Sequence, residues 1–245
     1  MKIEICLDSV ESVLAAEKGG ASRVEFCSDL FEGGLTPTLG AFKTAKKYTH
    51  IPLNVMIRPR GGDFCYTELE FETMMNDASI FKEAGADALV FGLLTKDGRI
   101  DKERTSALID IARPLPVTFH RAFDMTRDPF EALEDLITLQ VDRILTSGHE
   151  PSVPEGLPLL LKLIEQAGSR IIIMPGAGIN ERNFTMIHTL LQASEYHVYL
   201  HSETNSSMEY RPEHIYMGGV LRQPEFLLQN TDSTRVHNVV NMVRS

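Results

Sequence analysis

Two short segments of this sequence repeat one chemical pattern: Glu4-Ile5-Cys6 near the start and Glu25-Phe26-Cys27 further on. Each sets a carboxylate and a thiol two residues apart, the spacing that puts both on one face of an extended strand. Ile3, Ile5 and Leu7, like Val24 and Phe26, fall on the opposite face. Two carboxylates and two thiols therefore converge if the two strands are neighbours. Paired thiolates suit a soft ion such as Cu(I), with Met56 as a further soft donor, whereas a hard ion would select the carboxylates. The competing reading is structural. Free cysteine packs as a small hydrophobe, and buried Glu4 and Glu25 would neutralise Arg58, Arg60 or Arg121 in an internal ion network.

Further groups stand at the ends of apolar runs. Asn54, Met56 and Arg58 share one parity, with Arg60 and Asp63 following in a Gly-rich loop. Such arginines would clamp an anion in a two-pronged fashion. Thr118 and His120 share a parity, followed by Arg121 and Asp124. His120, Glu25 and Asp124 are the candidates for moving protons. The turns Thr146-Ser147-Gly148 and Gly176-Ala177-Gly178 open helices, where backbone N–H groups can hold phosphate. His50, His149, His188, His214 and His237 lack ligand spacing and read as surface residues, and no zinc signature is present.

The elements that must carry these groups alternate. Runs rich in β-branched and apolar residues at 2–7, 23–27, 52–57, 88–92, 116–120, 143–146, 170–175 and 195–200 are each followed by a segment with helical apolar spacing. Helix starts are marked at Asp8/Ser9, Asp128-Pro129, Asn180 and Thr231/Asp232. Eight such units in 245 residues predict a single (β/α)₈ TIM-type barrel domain over residues 1–245. An open doubly wound sheet would call for a Gly-rich dinucleotide turn after the first strand, where this chain has Cys6-Leu7-Asp8-Ser9. The long irregular stretches 28–37, 58–67 and 202–231 all follow strands, which puts them on the catalytic face of a parallel barrel. The last is the candidate contact for a homodimer or higher homo-oligomer.

A formal net charge of −10 argues against a phosphate-binding surface broad enough for nucleic acid. Three cysteines, none in a C-x-x-C pair, make no disulfide framework and suit a reducing, cytoplasmic setting. The N-terminus lacks the apolar stretch of a signal peptide, and no run reaches membrane-spanning length, so neither export nor a membrane partner is expected.

Several motifs coincide in order: EICLDSVES at 4–12, RVEFCS at 23–28, EGGLTPT at 32–38, MIRPRGGDFCY at 56–66, KDGRID at 96–101, PLPVTFHRAFD at 114–124, RILTSG at 143–148 and MPGAGI at 174–179. Together they resemble the CutC copper homeostasis family over about residues 1–200. The resemblance implies a cytoplasmic barrel that self-associates, is linked to copper tolerance and binds Cu(I) through Cys6 and Cys27. It also implies an enzyme-like polar pocket lined from the motifs holding Arg58, Arg60, Asp63, His120, Arg121 and Asp124. The arginines and the Gly176–Gly178 turn themselves suggest, as the alternative function, an enzyme acting on a small anionic or phosphorylated metabolite. Glu4, Ser147, Gly176, Gly178 and His197 complete the candidate binding set. The chain departs from the family pattern at Ala177, where a glycine is usual. It departs again after strand eight's His197, where a His-x-Ser-Ala run is usual; both changes bear on a phosphate site there.

Overall fold

A computed structural model describes residues 1–242; the last three residues of the expected domain span lie outside it. Eight parallel strands form the sheet: β1 (Lys2–Leu7), β2 (Arg23–Phe26), β3 (Leu53–Met56), β4 (Ala88–Phe91), β5 (Val117–Phe119), β6 (Arg143–Thr146), β7 (Ile172–Pro175) and β8 (Glu195–Val198). Neighbours in the sheet run β7-β6-β5-β4-β3-β2-β1-β8, and a single parallel bridge between Gly176 and His197 brings β7 against β8. The result is the nearly closed barrel that the alternation predicts.

Helices follow the strands: α1 (Val10–Lys18), α2 (Leu39–Tyr48), α3 (Glu68–Glu83), α4 (Lys102–Ala112), α5 (Pro129–Thr138), α6 (Val153–Ala167), α7 (Phe184–Leu191) and α8 (Ser233–Met242). Their starts are set by local chemistry. Ser9 Oγ accepts from the Ser12 N–H, Thr67 and Glu70 form a reciprocal capping box, and Asp128 accepts from the Phe130 and Glu131 N–H groups ahead of Pro129. One start differs from expectation. The sequence places it at Asn180, but α7 begins at Phe184, because Asn183 Oδ1 accepts the Asn180 N–H and holds residues 180–183 in a turn.

The apolar core lies between sheet and helices, where Ile3, Ile5, Val24, Phe26, Leu53 and Phe91 are buried against Val13, Phe42, Met74 and Phe81. The other strand parity fills the barrel. Most barrels stack branched apolar side chains there, whereas Glu4, Arg23, Glu25, Asn54, Thr118, Arg143, Glu195 and His197 are buried polar or charged residues of these strands.

Residues 202–231, expected to be irregular, carry more order than that. They include most of an antiparallel ribbon, β9 (His201–Asn205) with β10 (Leu227–Thr231), because two strand-length runs flank the intervening loop and pair in register from Thr231 opposite His201 to Leu227 opposite Asn205.

Candidate functional site

The two E-x-C units do lie on adjacent strands, since Cys6 on β1 is in register with Glu25 on β2. Cys6 Sγ and Cys27 Sγ stand 3.4 and 3.6 Å from Glu25 Oε2. One ligand-capable atom each from Cys6, Glu25 and Cys27 lies within 4.8 Å of the others, and so does one each from Glu4, Glu25 and His197. Met56 and Val90 pack against Cys27 in a small apolar cluster that Cys6 and Leu30 adjoin.

Beneath the thiols runs a ladder of paired charges. Arg23 donates to Glu4 and to Glu195 at 2.5 Å each, and Arg143 reaches Glu195 at 3.1 Å and Thr118 Oγ1 at 3.1 Å. Asn54 Nδ2 donates to Glu4 Oε2 at 2.8 Å, and His197 Nδ1 donates to Glu4 Oε1 at 2.8 Å. The expected ion network therefore exists with different partners. Glu4 pairs with Arg23 and His197, its register partners on the two neighbouring strands, not with Arg58, Arg60 or Arg121, which lie beyond the ends of β3 and β5.

These pairings set the charges. Burial pushes the Glu4 carboxyl up, but the Arg23 charge and the His197 hydrogen bond outweigh it and hold Glu4 well below the usual carboxylate range. Burial alone would discharge His197, yet Glu25, Cys6 and Glu4 raise it well above its ordinary value. Burial raises Glu25. The Cys27 thiol, donating to Cys6, is pushed up while Cys6 is lowered to about 5.

Above this floor a cavity of about 300 Å³ opens at the carboxyl ends of the strands, lined by Cys6, Glu25, Met56, Arg58, Phe64, His120, Arg121, Asp124, Leu145 and His197, among others. A larger groove of about 1010 Å³ sits at the opposite end, lined by Arg113, Asp142, Gln192 and Ser194, among others, without a comparable convergence of acids, thiols and imidazoles.

Arg58 is 5% exposed. It gives Nη1 to the carbonyls of Glu32 and Gly34 and Nη2 to that of Gly62, its guanidinium lies over Phe64, and it pairs with no carboxylate among the described residues. His120 caps the short 3₁₀ turn Arg121–Met125, its Nδ1 accepting the Ala122 N–H at 3.1 Å. Its Nε2 has no partner, and neither have Arg58 Nε and Glu25 Oε1. Burial and the Arg58 charge lower His120 to about 3. The ring is thus neutral with its proton on Nε2.

Other expected site residues are engaged elsewhere. Arg60 is turned to Glu70 at 2.6 Å and Asp63 at 3.1 Å, and neither Arg60 nor Asp63 lines the cavity. Asp124 accepts from Arg121, Thr146 and Ser147, which makes it a brace under the mouth, and Ser147 is held by it at 2.9 Å. Gly176 and Gly178 lie off the lining, and the Gly176 N–H is spent on the Thr146 carbonyl. His149 and His188, read as surface residues, are half-buried and bonded to Thr126 and Tyr196 respectively.

Sequence reasoning missed Arg23, Arg143 and Glu195, although strict alternation below Glu25 and His197 marks them as inward. It also missed Gly92, where a Cβ would come within 2.6 Å of His120 Nδ1. No local signal finds that contact.

Fold and site together define a (β/α)₈ barrel with a charged interior and a thiol, carboxylate and imidazole cluster at the mouth formed by the carboxyl ends of its strands. The chain belongs to the CutC family, whose sequence profile matches residues 1–202. It is 52% identical over 237 residues to the human "Copper homeostasis protein cutC homolog", covering 97% of this chain and 87% of that one. It is 50% identical to a family protein CutC of Parabacteroides distasonis, covering 96% and 97%. The putative copper homeostasis protein CutC of Streptococcus agalactiae superposes with a TM-score of 0.77 at 36% identity, over 80% of this chain and 98% of that chain. N-(5'-phosphoribosyl)anthranilate isomerase of Pyrococcus furiosus, at 12% identity and a TM-score of 0.56 over 100% and 98%, shares the fold alone.

Proposed function

We propose that this protein takes up Cu(I) as its cargo through Cys6 and Cys27. The observation that carries this reading is the approach of both thiols to one another and to Glu25 within 4.8 Å. The donor set fits the ion: two sulfurs, one of them readily ionised, beside the soft thioether of Met56. His197 supplies positive charge next to Cys6, which favours thiolate. Relatives named for copper homeostasis support the same reading. Competition against a Cu(I) chelator under reducing, anaerobic conditions tests it. Tight binding lost in Cys6→Ala/Cys27→Ala and kept in Cys65→Ala is the expected result, and binding indifferent to the double change would remove the site.

A second reading is favoured by Arg58, whose charge lacks a carboxylate partner in the lining of the cavity: an enzyme acting on a small anionic or phosphorylated metabolite. A thermal-shift screen tests it, since ligands that stabilise the parent should lose their effect in Arg58→Ala. The three free thiols, Cys6, Cys27 and Cys65, support a cytoplasmic seat of action. Exposed Tyr210, Met217 and Val220 in the 202–231 segment support self-association through it. A monomer in size-exclusion chromatography at micromolar concentration would refute it.

A further inference from the structure

We propose that the mouth cavity is a seat for a small carboxylate monoanion held between Arg58 and His120, with His120 serving as a fixed N–H donor and not as a proton carrier. The proposal rests on the anionic-ligand reading above and narrows it to one class.

Three residues of the lining each leave a buried polar atom without a partner: Arg58 Nε, His120 Nε2 and Glu25 Oε1. A buried donor with no acceptor is costly, so several around one cavity point to a missing partner. Two of them are donors. Arg58 and His120 share Phe64 as a support, the guanidinium carbon 5.2 Å and the imidazole centroid 5.0 Å from its ring centre. His120 cannot rotate freely, because Ala122 donates to Nδ1 and Gly92 leaves room for the ring only by having no Cβ. With Nδ1 accepting, the neutral ring has a donor at Nε2 and no lone pair to take a proton there.

The charge facing the cavity and its lining select the class. Nη1 of Arg58 spends both of its N–H groups on backbone carbonyls and Nη2 spends one, which leaves the Nε N–H and a second N–H on Nη2. With the His120 Nε2–H that makes three N–H groups, enough to hold both oxygens of a carboxylate. The neighbouring cation Arg121 is already paired with Asp124, so a single uncompensated positive charge faces the cavity, enough for a monoanion. A phosphate brings a second charge, and the glycine turn that would cradle it lies off the lining. The volume of about 300 Å³ limits the ligand to a small one.

Calorimetric titration of the full chain with sodium pyruvate and sodium acetate, against inorganic phosphate and acetone, tests the proposal. Saturable binding of both carboxylates is expected, with acetone and phosphate silent. His120→Leu should weaken pyruvate roughly tenfold or more, the worth of one hydrogen bond to a charged group, and His120→Gln, which restores an N–H, should recover part of it. Equal affinity in His120→Leu would overturn the seat. Phosphate binding without carboxylate binding would overturn the class and leave the anionic reading standing, whereas no anion binding at all would end both. Should His120→Leu fail to fold, nitrogen NMR of the parent decides: an Nε2–H tautomer whose Nε2 signal moves with pyruvate supports the seat, and an Nδ1–H tautomer removes it.

Discussion

His197 Nδ1 on β8 meets Glu4 Oε1 on β1 at 2.8 Å across 193 residues of sequence. The contact turns the other ring nitrogen toward β2, where Nε2 lies 3.8 Å from Glu25 Oε2. A carboxylate held ionised by Arg23 below thus sustains a positive imidazole above, and that imidazole sits beside the Cys6 thiol. The charge ladder of the interior and the chemistry of the mouth are one electrostatic unit.

Glu4→Gln tests that unit. It leaves Arg23 and His197 buried against a neutral amide, a loss of about 3–5 kcal/mol expected for a broken buried pair, against less than about 1 kcal/mol for removing the surface partner Lys46 of Asp87. Urea denaturation measures both. The pH dependence has a definite sign. Glu4 is lowered on folding, so its share of stability is present above the ordinary 4.5 and is lost as pH falls toward its folded value. His197 is raised, so its share is full below the ordinary 6.5 and is lost as pH climbs through its folded value. An acid limb equally steep in Glu4→Gln would contradict the assignment.

The two thiols should ionise far apart. The hydrogen bond from Cys27, opposed by burial and helped by His197, brings Cys6 to about 5. Ultraviolet thiolate absorbance of chelator-treated protein should show one early ionisation, absent in Cys6→Ser and shifted upward in Cys27→Ser. Two thiols titrating together near the ordinary 9.0 would argue against the pair.

Gly92→Ala should damage the site without touching a ligand. The added Cβ would stand 2.6 Å from His120 Nδ1 and 2.8 Å from Ala122 Cβ, an overpacking cost of about 1–3 kcal/mol. Displacement of the ring should weaken carboxylate binding, and calorimetry beside a thermal melt separates the two effects. Unchanged affinity would free His120 from the seat.

Ala177→Gly should stabilise the protein. Ala177 sits at φ 93, in the left-handed region. A side chain there costs about 1–2 kcal/mol, partly offset by the entropy glycine loses on folding. A net gain near 1 kcal/mol corresponds to about 2–4 °C in Tm for a chain of this size. A lower Tm would show that the turn is not strained.

The chain's own alternation determined the barrel, the order of its eight units and the convergence of Cys6, Glu25 and Cys27, because strand parity and helix caps are local properties that each segment carries with it. Tertiary structure decided who pairs with whom. Arg23, inside β2, takes Glu4 and Glu195 because inward residues of distant strands share one axis, while Arg58 and Arg60, equally basic in sequence, are absorbed by backbone carbonyls and by Glu70. The same holds for the proton on His120: its place follows from the Ala122 N–H below the ring, a contact created when β5 ends in a 3₁₀ turn. Composition supplies the charges, but only closure of the barrel sets the distances that decide which of them cancel and which are left to meet a ligand.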